Sequence, residues 1–221
     1  MTYPLPFVAA VVADLNKENI PIVEYGDLLN ARFGYPVCIN TIRWAIPDSE
    51  VSRVSKILLE HNIPKGGIIA HYARSYGKWE TAGEMHKHGS TRIQLIPLST
   101  LHLSLEDCEE VTSTFSLQQK ALIPKPQPYL ISLIRILQSL PLGLPRVPII
   151  ADTALFLDYC VFPRLPDDED EESESEEHFQ QRVEQALSLV RQWDWRPEDA
   201  EYFDLSEQII RNCQLLYTLK A

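Results

Sequence analysis

Glycine, clustered cysteines and long apolar runs are all scarce in this chain of 221 residues. The four cysteines form no CxxC pair and no Cys/His cluster with zinc-site spacing. No apolar run approaches the roughly 20 residues needed to span a bilayer. The first apolar run ends at Asp14 and follows no basic segment, unlike a signal or transit peptide. We therefore expect reduced core thiols, no membrane partner and a cytoplasmic protein.

The eight glycines leave little material for a loop that cradles phosphate groups. The sequence has no Walker A motif, no GxGxxG for a dinucleotide and no GxSxG for a serine nucleophile. His86 and His88 do not have a familiar metal-ligand spacing, although with Glu84 they could project from one face of a strand. The sequence therefore predicts no cofactor and no metal.

The net charge of -11 is concentrated in one segment. Nine of the 31 acidic residues lie between Asp167 and Glu177, and the remaining acids nearly balance the 20 Lys and Arg. The stretch from Arg53 to Arg92, in contrast, is locally basic. Local patches set the field that a phosphate backbone meets, so the acidic average does not exclude a nucleic-acid partner.

Apolar residues follow helical and strand periods in turn along the chain. They predict helices at 5–18, 27–33, 49–62, 129–140, 149–161, 179–193 and 206–219, and strands at 20–23, 37–46, 92–97 and 100–103. Residues 65–91 are expected to form a loop or hairpin. The pattern predicts an α/β (α+β) fold with a mixed sheet, flanking helices and a C-terminal helical part.

The order of elements in residues 7–62 resembles the core of nucleotidyltransferase-like proteins, in the text IPIVEYGDLLNARFGYPVCINTIRWAIPDSEVSRVSKILLEHNIP. In active members a glycine turn precedes two metal-binding carboxylates on the next strand. Here the turn is Tyr25-Gly26, and Thr41 and Arg43 take the carboxylate positions. Arginine repels Mg²⁺, so the resemblance implies a core without its metals. It also implies that Tyr25, Asp27 and Arg43 flank the cleft as substrate-binding residues.

The text PRLPDDEDEESESEE resembles the fungal arginine-containing cyclodipeptide synthases, whose marker is a DDxxE motif. Asp167, Asp168 and Glu171 match it, and the resemblance implies that they are catalytic. Such enzymes take an arginyl group from charged tRNA and close a diketopiperazine with a second amino acid. Carboxylates accept paired hydrogen bonds from a planar guanidinium, which fits an arginyl substrate. The alternative is a solvated linker, since blocks of like charge repel each other.

The basic stretch would then bind tRNA through Arg74, Lys78, Lys87 and Arg92, with Tyr72, Tyr76 and Trp79 available to stack on bases. The alternative is that this basic stretch only forms a charged surface that keeps the protein in solution. An aminoacyl ester is already activated, so this chemistry needs neither ATP nor a metal.

The leading hypothesis is therefore tRNA-dependent formation of an arginine-containing cyclic dipeptide, with arginyl-tRNA and an amino acid as partners. The runner-up is a degenerate nucleotidyltransferase-fold binding protein, followed by an active nucleotidyltransferase with displaced carboxylates. The predicted organisation has an α/β core at 1–164, an acidic motif and linker at 165–177, and C-terminal helices at 178–221.

Overall fold

The computed structural model describes residues 5–67, 83–165 and 174–219. Its strands are β1 Val23–Tyr25, β2 Thr41–Ile46, β3 Glu84–His88, β4 Thr91–Pro97, β5 Cys108–Ser113 and β6 Ser116–Pro124. Its helices are α1 Pro6–Lys17, α2 Asp27–Phe33, α3 Val51–Glu60, α4 Pro126–Ser139, α5 Val147–Phe156, α6 Glu176–Arg191, α7 Ala200–Arg211 and α8 Leu215–Thr218. A π-helical turn, Leu157–Val161, continues α5.

The six strands form one mixed sheet in the order β3-β4-β2-β1-β6-β5. Neighbours β2 and β4 run parallel, as do β1 and β6, whereas the other three pairs are antiparallel. The parallel β2–β4 pair requires a crossover, and α3 lies within it. The predicted mixed α/β class is therefore confirmed.

Each face of the sheet has its own hydrophobic core, because successive strand residues point to opposite faces. On one face Val23, Ala45 and Ile96 pack against α4 to α8. On the other face Ile42 and Trp44 pack against α1 and α3. The C-terminal helices thus bury their apolar sides in the same core as α4 and α5.

Several element predictions need correction. No element was predicted between Leu103 and Pro124, where β5 and β6 lie. The strand predicted at 100–103 is wrong, because Leu98–Leu101 form a 3-10 helix and His102 follows in the left-handed conformation. The helix predicted at 206–219 is split into α7 and α8 at Asn212, whose backbone is not helical.

The cysteines also differ from expectation in their exposure. Cys108 is buried and Cys160 is partly buried, but Cys38 and Cys213 are exposed and are not core thiols. Within the described residues, no helix is both long and apolar enough to cross a membrane.

Candidate functional site

The junction between β1 and α2 brings together the three predicted substrate-binding residues. Tyr25 ends β1, Gly26 turns the chain and Asp27 begins α2. Gly26 has φ +61, and a Cβ atom there would lie 3.0 Å from both Cδ and Nη1 of Arg43. Glycine is needed at this position for its backbone conformation and for the space that Arg43 occupies.

Arg43 is held beside this turn by the sheet register. It pairs with Tyr25 on β1 and with Gln94 on β4. Its Nη1 lies 3.6 Å from Oδ1 of Asp27, and the Arg43 side chain is 15% exposed. The Asp27 carboxylate therefore faces a guanidinium, and the pair can hold the negative and positive parts of a polar ligand.

Thr41, Arg43 and Gln94 occupy one face at this end of the sheet, since residues two apart on a strand and cross-strand partners share a face. None of the three is a carboxylate, and neighbouring strands lie only about 5 Å apart. Divalent metals such as Mg²⁺ need anionic oxygen ligands. This face offers a cation and neutral oxygens, and so has the wrong chemistry for a two-metal site.

The next row of the same face extends the positive charge. Arg92 pairs with Thr41 on one side and with Lys87 on the other. Arg92 is partly buried and Lys87 is exposed. We call Arg43, Arg92 and Lys87 the basic face. Two of the four predicted tRNA contacts, Lys87 and Arg92, thus lie on the same face of the sheet as Arg43, whereas Arg74 and Lys78 lie outside the described residues.

A buried polar cluster lies behind the basic face. The rings of Tyr25 and Tyr129 meet edge to face with centroids 5.6 Å apart. Asn30 Nδ2 donates to Oδ1 of Asp152 at 3.1 Å. Burial, reinforced by the nearby Asp152 carboxylate, raises the pKa of Tyr25, and burial also raises the pKa of Tyr129. Both hydroxyls therefore stay protonated, and they are potential hydrogen-bond donors.

Of this cluster the sequence indicated only Tyr25, and it did not indicate Asn30, Tyr129, Asp152 or the nearby Gln94. Tyr129 and Asp152 belong to helices whose apolar periodicity explains them as ordinary core positions. Only the packing of α4 and α5 against the end of β1 brings them near Tyr25. No sequence spacing could have indicated that contact.

The predicted catalytic residues Asp167, Asp168 and Glu171 lie outside the described residues, so their assignment stays a prediction. The last residues of the acidic run belong to a helix, whereas the sequence predicted a linker up to residue 177. Ser175 caps α6 through its side chain, and Glu176 and Glu177 form the first turn of that helix. Acidic residues there interact favourably with the helix dipole. The division into three regions also stays a prediction.

A second polar network surrounds His86 on the opposite face of the sheet. His86 is fully buried, with Nε2 lying 2.9 Å from Ser55 Oγ and Nδ1 lying 2.9 Å from the Ile63 carbonyl oxygen. Ser55 Oγ donates to Glu84 at 2.5 Å, and Lys65 Nζ lies 2.6 Å from the same carboxylate oxygen. Among the described residues, no three metal-binding side chains are placed to hold an ion. The network ties β3 to α3.

Glu84 gives this network a measurable pH dependence. Hydrogen bonds from Lys65 and Ser55 lower the pKa of Glu84 from its ordinary value of 4.5. A carboxyl whose pKa is lower when folded stabilises the protein above its unfolded pKa, and this stabilisation is lost as pH falls through the folded pKa. We expect wild-type protein to lose more unfolding free energy than Glu84→Gln when the pH is lowered below 4.5.

Urea unfolding at a series of pH values measures this difference. Glu60→Gln is the matched control, because Glu60 is 62% exposed and pairs with an exposed lysine on the same helix. The unfolding free energy of Glu60→Gln should change with pH in the same way as that of the wild type. If the unfolding free energies of Glu84→Gln and wild type fall equally as the pH is lowered, the Glu84 carboxylate does not stabilise the fold in this way.

Comparison with known proteins gives only distant structural likenesses. No family model matches the chain, and no curated protein matches it. A solution structure of the antibiotic-resistance factor ANT(2'')-Ia aligns at 10% identity and TM-score 0.46, covering 69% of this chain and 81% of that one. The crystal structure of ANT(2'')-Ia with adenylyl-2''-tobramycin aligns at 11% identity and TM-score 0.48, covering 69% and 86%.

An antigenic nucleotidyltransferase-like protein from Paracoccidioides brasiliensis aligns at 13% identity and TM-score 0.45, covering 89% of this chain and 90% of that one. These proteins are similar to this chain in general architecture, and the likeness is to nucleotidyltransferase-like structures. At such identities and TM-scores it carries no argument about activity, which has to rest on the site itself.

Proposed function

We propose that the chain binds aminoacyl-tRNA through its basic face and forms an arginine-containing cyclic dipeptide from arginyl-tRNA and a second amino acid that is also esterified to tRNA. The observation that carries the proposal is the placement of Arg43, Arg92 and Lys87 on one face of the sheet. Clustered cations on a surface bind a phosphate backbone through electrostatic attraction and the release of counterions.

The composition of this face favours a substrate that is already activated. A nucleotidyl transferase must neutralise a triphosphate, usually with metals held by carboxylates. The side chains at the corresponding positions here are Thr41, Arg43 and Gln94, none of which is a carboxylate that could hold a metal ion. An aminoacyl ester needs no such metal, because its acyl carbon is attacked directly by an amine.

The proposed chemistry consists of two aminolysis steps. The α-amine of the second aminoacyl group attacks the arginyl ester carbonyl. The new amide bond replaces the ester bond, and the amine proton passes to the departing tRNA hydroxyl. The arginyl α-amine then attacks the second carbonyl to close the ring. That carbonyl is therefore also an ester of tRNA, since a free carboxylate would have to expel hydroxide. Its tRNA hydroxyl departs as the second amide bond forms and takes the amine proton.

The acidic motif provides the arginine specificity in this proposal. Asp167, Asp168 and Glu171 would accept the paired hydrogen bonds of the substrate guanidinium or assist proton transfer. The described residues end at Leu165, just before the motif, and resume at Glu174, two residues before α6 begins. Arg164, which precedes the motif in the sequence, lies beside the C-terminal end of α2: a Cβ atom on Gly34 would be 2.9 Å from its Nη2.

The test combines product detection with RNA binding. Cells that express the chain should accumulate cyclic dipeptides containing arginine, measured by mass spectrometry, and Asp167→Asn, Asp168→Asn and Glu171→Gln should abolish them. Purified Arg92→Gln and Lys87→Gln should each lower the salt slope of tRNA binding by about one. Lys56→Gln on α3, on the opposite face of the sheet, is the control and should bind normally.

Unchanged product in the three motif variants would remove the motif from the mechanism. Binding that does not respond to Arg92→Gln and Lys87→Gln would remove the basic face from it. A second candidate function, a binding protein of degenerate nucleotidyltransferase type, is favoured by the Arg43–Asp27 pair beside the Gly26 turn. Nucleotide or RNA binding without any cyclic dipeptide product would support that candidate.

A further inference from the structure

A cavity of about 470 Å³ opens beside α6, away from the basic face. Its volume is within the range of about 300 to 1,000 Å³ that is usual for small-molecule sites. The walls are largely apolar and include Leu155, Leu157, Phe162 and Phe179. Such walls suit a ligand with an apolar body.

The cavity wall contains a carboxylate, Glu174, of which only one oxygen accepts a hydrogen bond from the described residues. The Glu174 side chain is 5% exposed, and its Oε2 accepts a hydrogen bond of 2.9 Å from Arg182 Nη1. Its Oε1 is buried without a hydrogen-bond partner among the described residues. A buried acceptor of this kind costs about 1 to 3 kcal/mol, and more when charged. A donor brought by a ligand would remove this cost.

Arg182 does not have the freedom to satisfy both oxygens. Its Nε donates to the Pro163 carbonyl at 3.0 Å, and its guanidinium lies 5.7 Å from the centre of the Phe162 ring. These contacts hold the guanidinium on the Oε2 side of Glu174. The available partner for Oε1 must therefore come from elsewhere.

The π-helical turn Leu157–Val161 shapes the opposite wall. Phe162 N donates to the Leu157 carbonyl at 2.7 Å and closes this wide turn. The turn places Leu157 and the exposed carboxylate of Asp158 on the cavity wall. Single π-helical turns often occur at functional sites because they redirect side chains. Among the described residues, the cavity wall thus holds two carboxylates and one guanidinium that is already paired.

We propose that this cavity binds a small organic cation that has an ammonium head and an apolar body. The apolar body packs on Phe162 and Phe179, and the ammonium group faces Asp158. The Glu174 carboxylate turns towards the cavity so that its buried Oε1 accepts a hydrogen bond from the ammonium group. An anion of the same size is repelled by the two carboxylates. None of the described residues that line the cavity belongs to the basic face or to the DDxxE motif, so its ligand can be tested separately from the function proposed above.

Phenethylamine is the probe, and 3-phenylpropionate is an anion of similar size and shape. Isothermal titration of the full chain should show saturable binding of phenethylamine and none of 3-phenylpropionate. Glu174→Gln should weaken phenethylamine binding at least about tenfold, the loss expected for one charge-assisted hydrogen bond. Glu177→Gln changes an exposed acid in the first turn of α6 that does not line the cavity, and it should leave the affinity unchanged.

A second measurement uses a thiol in the cavity wall. Cys213 lines the cavity, whereas Cys38 is an exposed cysteine outside it. Phenethylamine should slow the alkylation of Cys213 and leave that of Cys38 unchanged. If Glu174→Gln does not fold, Phe179→Ala replaces it, because Phe179 is 39% exposed and its loss should weaken binding without unfolding the chain. Absent binding, equal binding of both probes, or unprotected Cys213 would overturn the proposal.

Discussion

Glu24→Ala is expected to lower the free energy of unfolding by about 3 to 5 kcal/mol, the usual effect of removing one partner of a buried ion pair. Glu24 is fully buried on β1, and Arg32 Nε donates to its Oε2 at 2.6 Å. The backbone N–H of Thr114 donates to Oε1 at 2.8 Å, and the Thr114 hydroxyl donates to Oε2 at 2.6 Å. These donors lose their acceptor when the carboxylate is removed.

The location of Glu24 explains why the loss should be large. Its contacts join β1, α2 and the turn between β5 and β6, so the carboxylate fixes an edge of the sheet to its centre. A domain of ordinary stability has about 5 to 15 kcal/mol in total. The substitution should therefore bring the protein close to its unfolding threshold.

Urea unfolding followed by circular dichroism measures this effect. Glu110→Gln is the control, because Glu110 is 58% exposed and pairs with an exposed lysine at 2.8 Å. Exposed pairs of this type contribute about 0 to 1 kcal/mol. A loss below about 1 kcal/mol for Glu24→Ala would show that Glu24 does not hold the sheet edge in this way.

Gly26→Ala is expected to destabilise the fold by about 1 to 3 kcal/mol and to weaken tRNA binding about tenfold. The stability loss comes from the backbone, because φ +61 with ψ -129 is a conformation that alanine disfavours. The binding loss comes from Arg43, whose Cδ and Nη1 lie 3.0 Å from the position of the new Cβ. The flexible arginine should move away from the turn and from Asp27.

Gly143→Ala separates the two effects. Gly143 also has a positive φ, +106, but a Cβ atom there would meet nothing within 4 Å. Its stability loss should be similar to that of Gly26→Ala, while its tRNA affinity should equal that of the wild type. Filter binding at fixed salt provides the comparison. Equal affinities for the two alanine variants would mean that Arg43 does not contribute to RNA binding.

Helices with strong local signals were predictable from sequence. In α1 the apolar residues recur at helical spacing, and Pro6 begins the helix. In α4 the proline-rich turn and the repeated leucines and isoleucines again favour one structure. These signals arise within a few turns of chain, so no tertiary information is needed to interpret them.

The strands β5 and β6 were not predictable in the same way. Their residues do not alternate between buried and exposed, and the burial of β6 is concentrated at Ala121 and Pro124. They form a hairpin at the sheet edge, where one face is partly open to solvent. Their strand structure depends on pairing with each other and on the parallel contact of β6 with β1.

Local composition and spacing were sufficient to predict the mixed α/β class, the glycine turn before Asp27 and the position of Arg43 on the following strand. The packing of the folded chain sets which distant residues meet. It placed Arg92 and Lys87 in the row beside Arg43, brought Tyr129 and Asp152 behind Tyr25, and gave the acidic Glu174 a buried arginine partner. Register and helix packing fix these contacts, and both depend on long-range pairing that local sequence patterns do not encode.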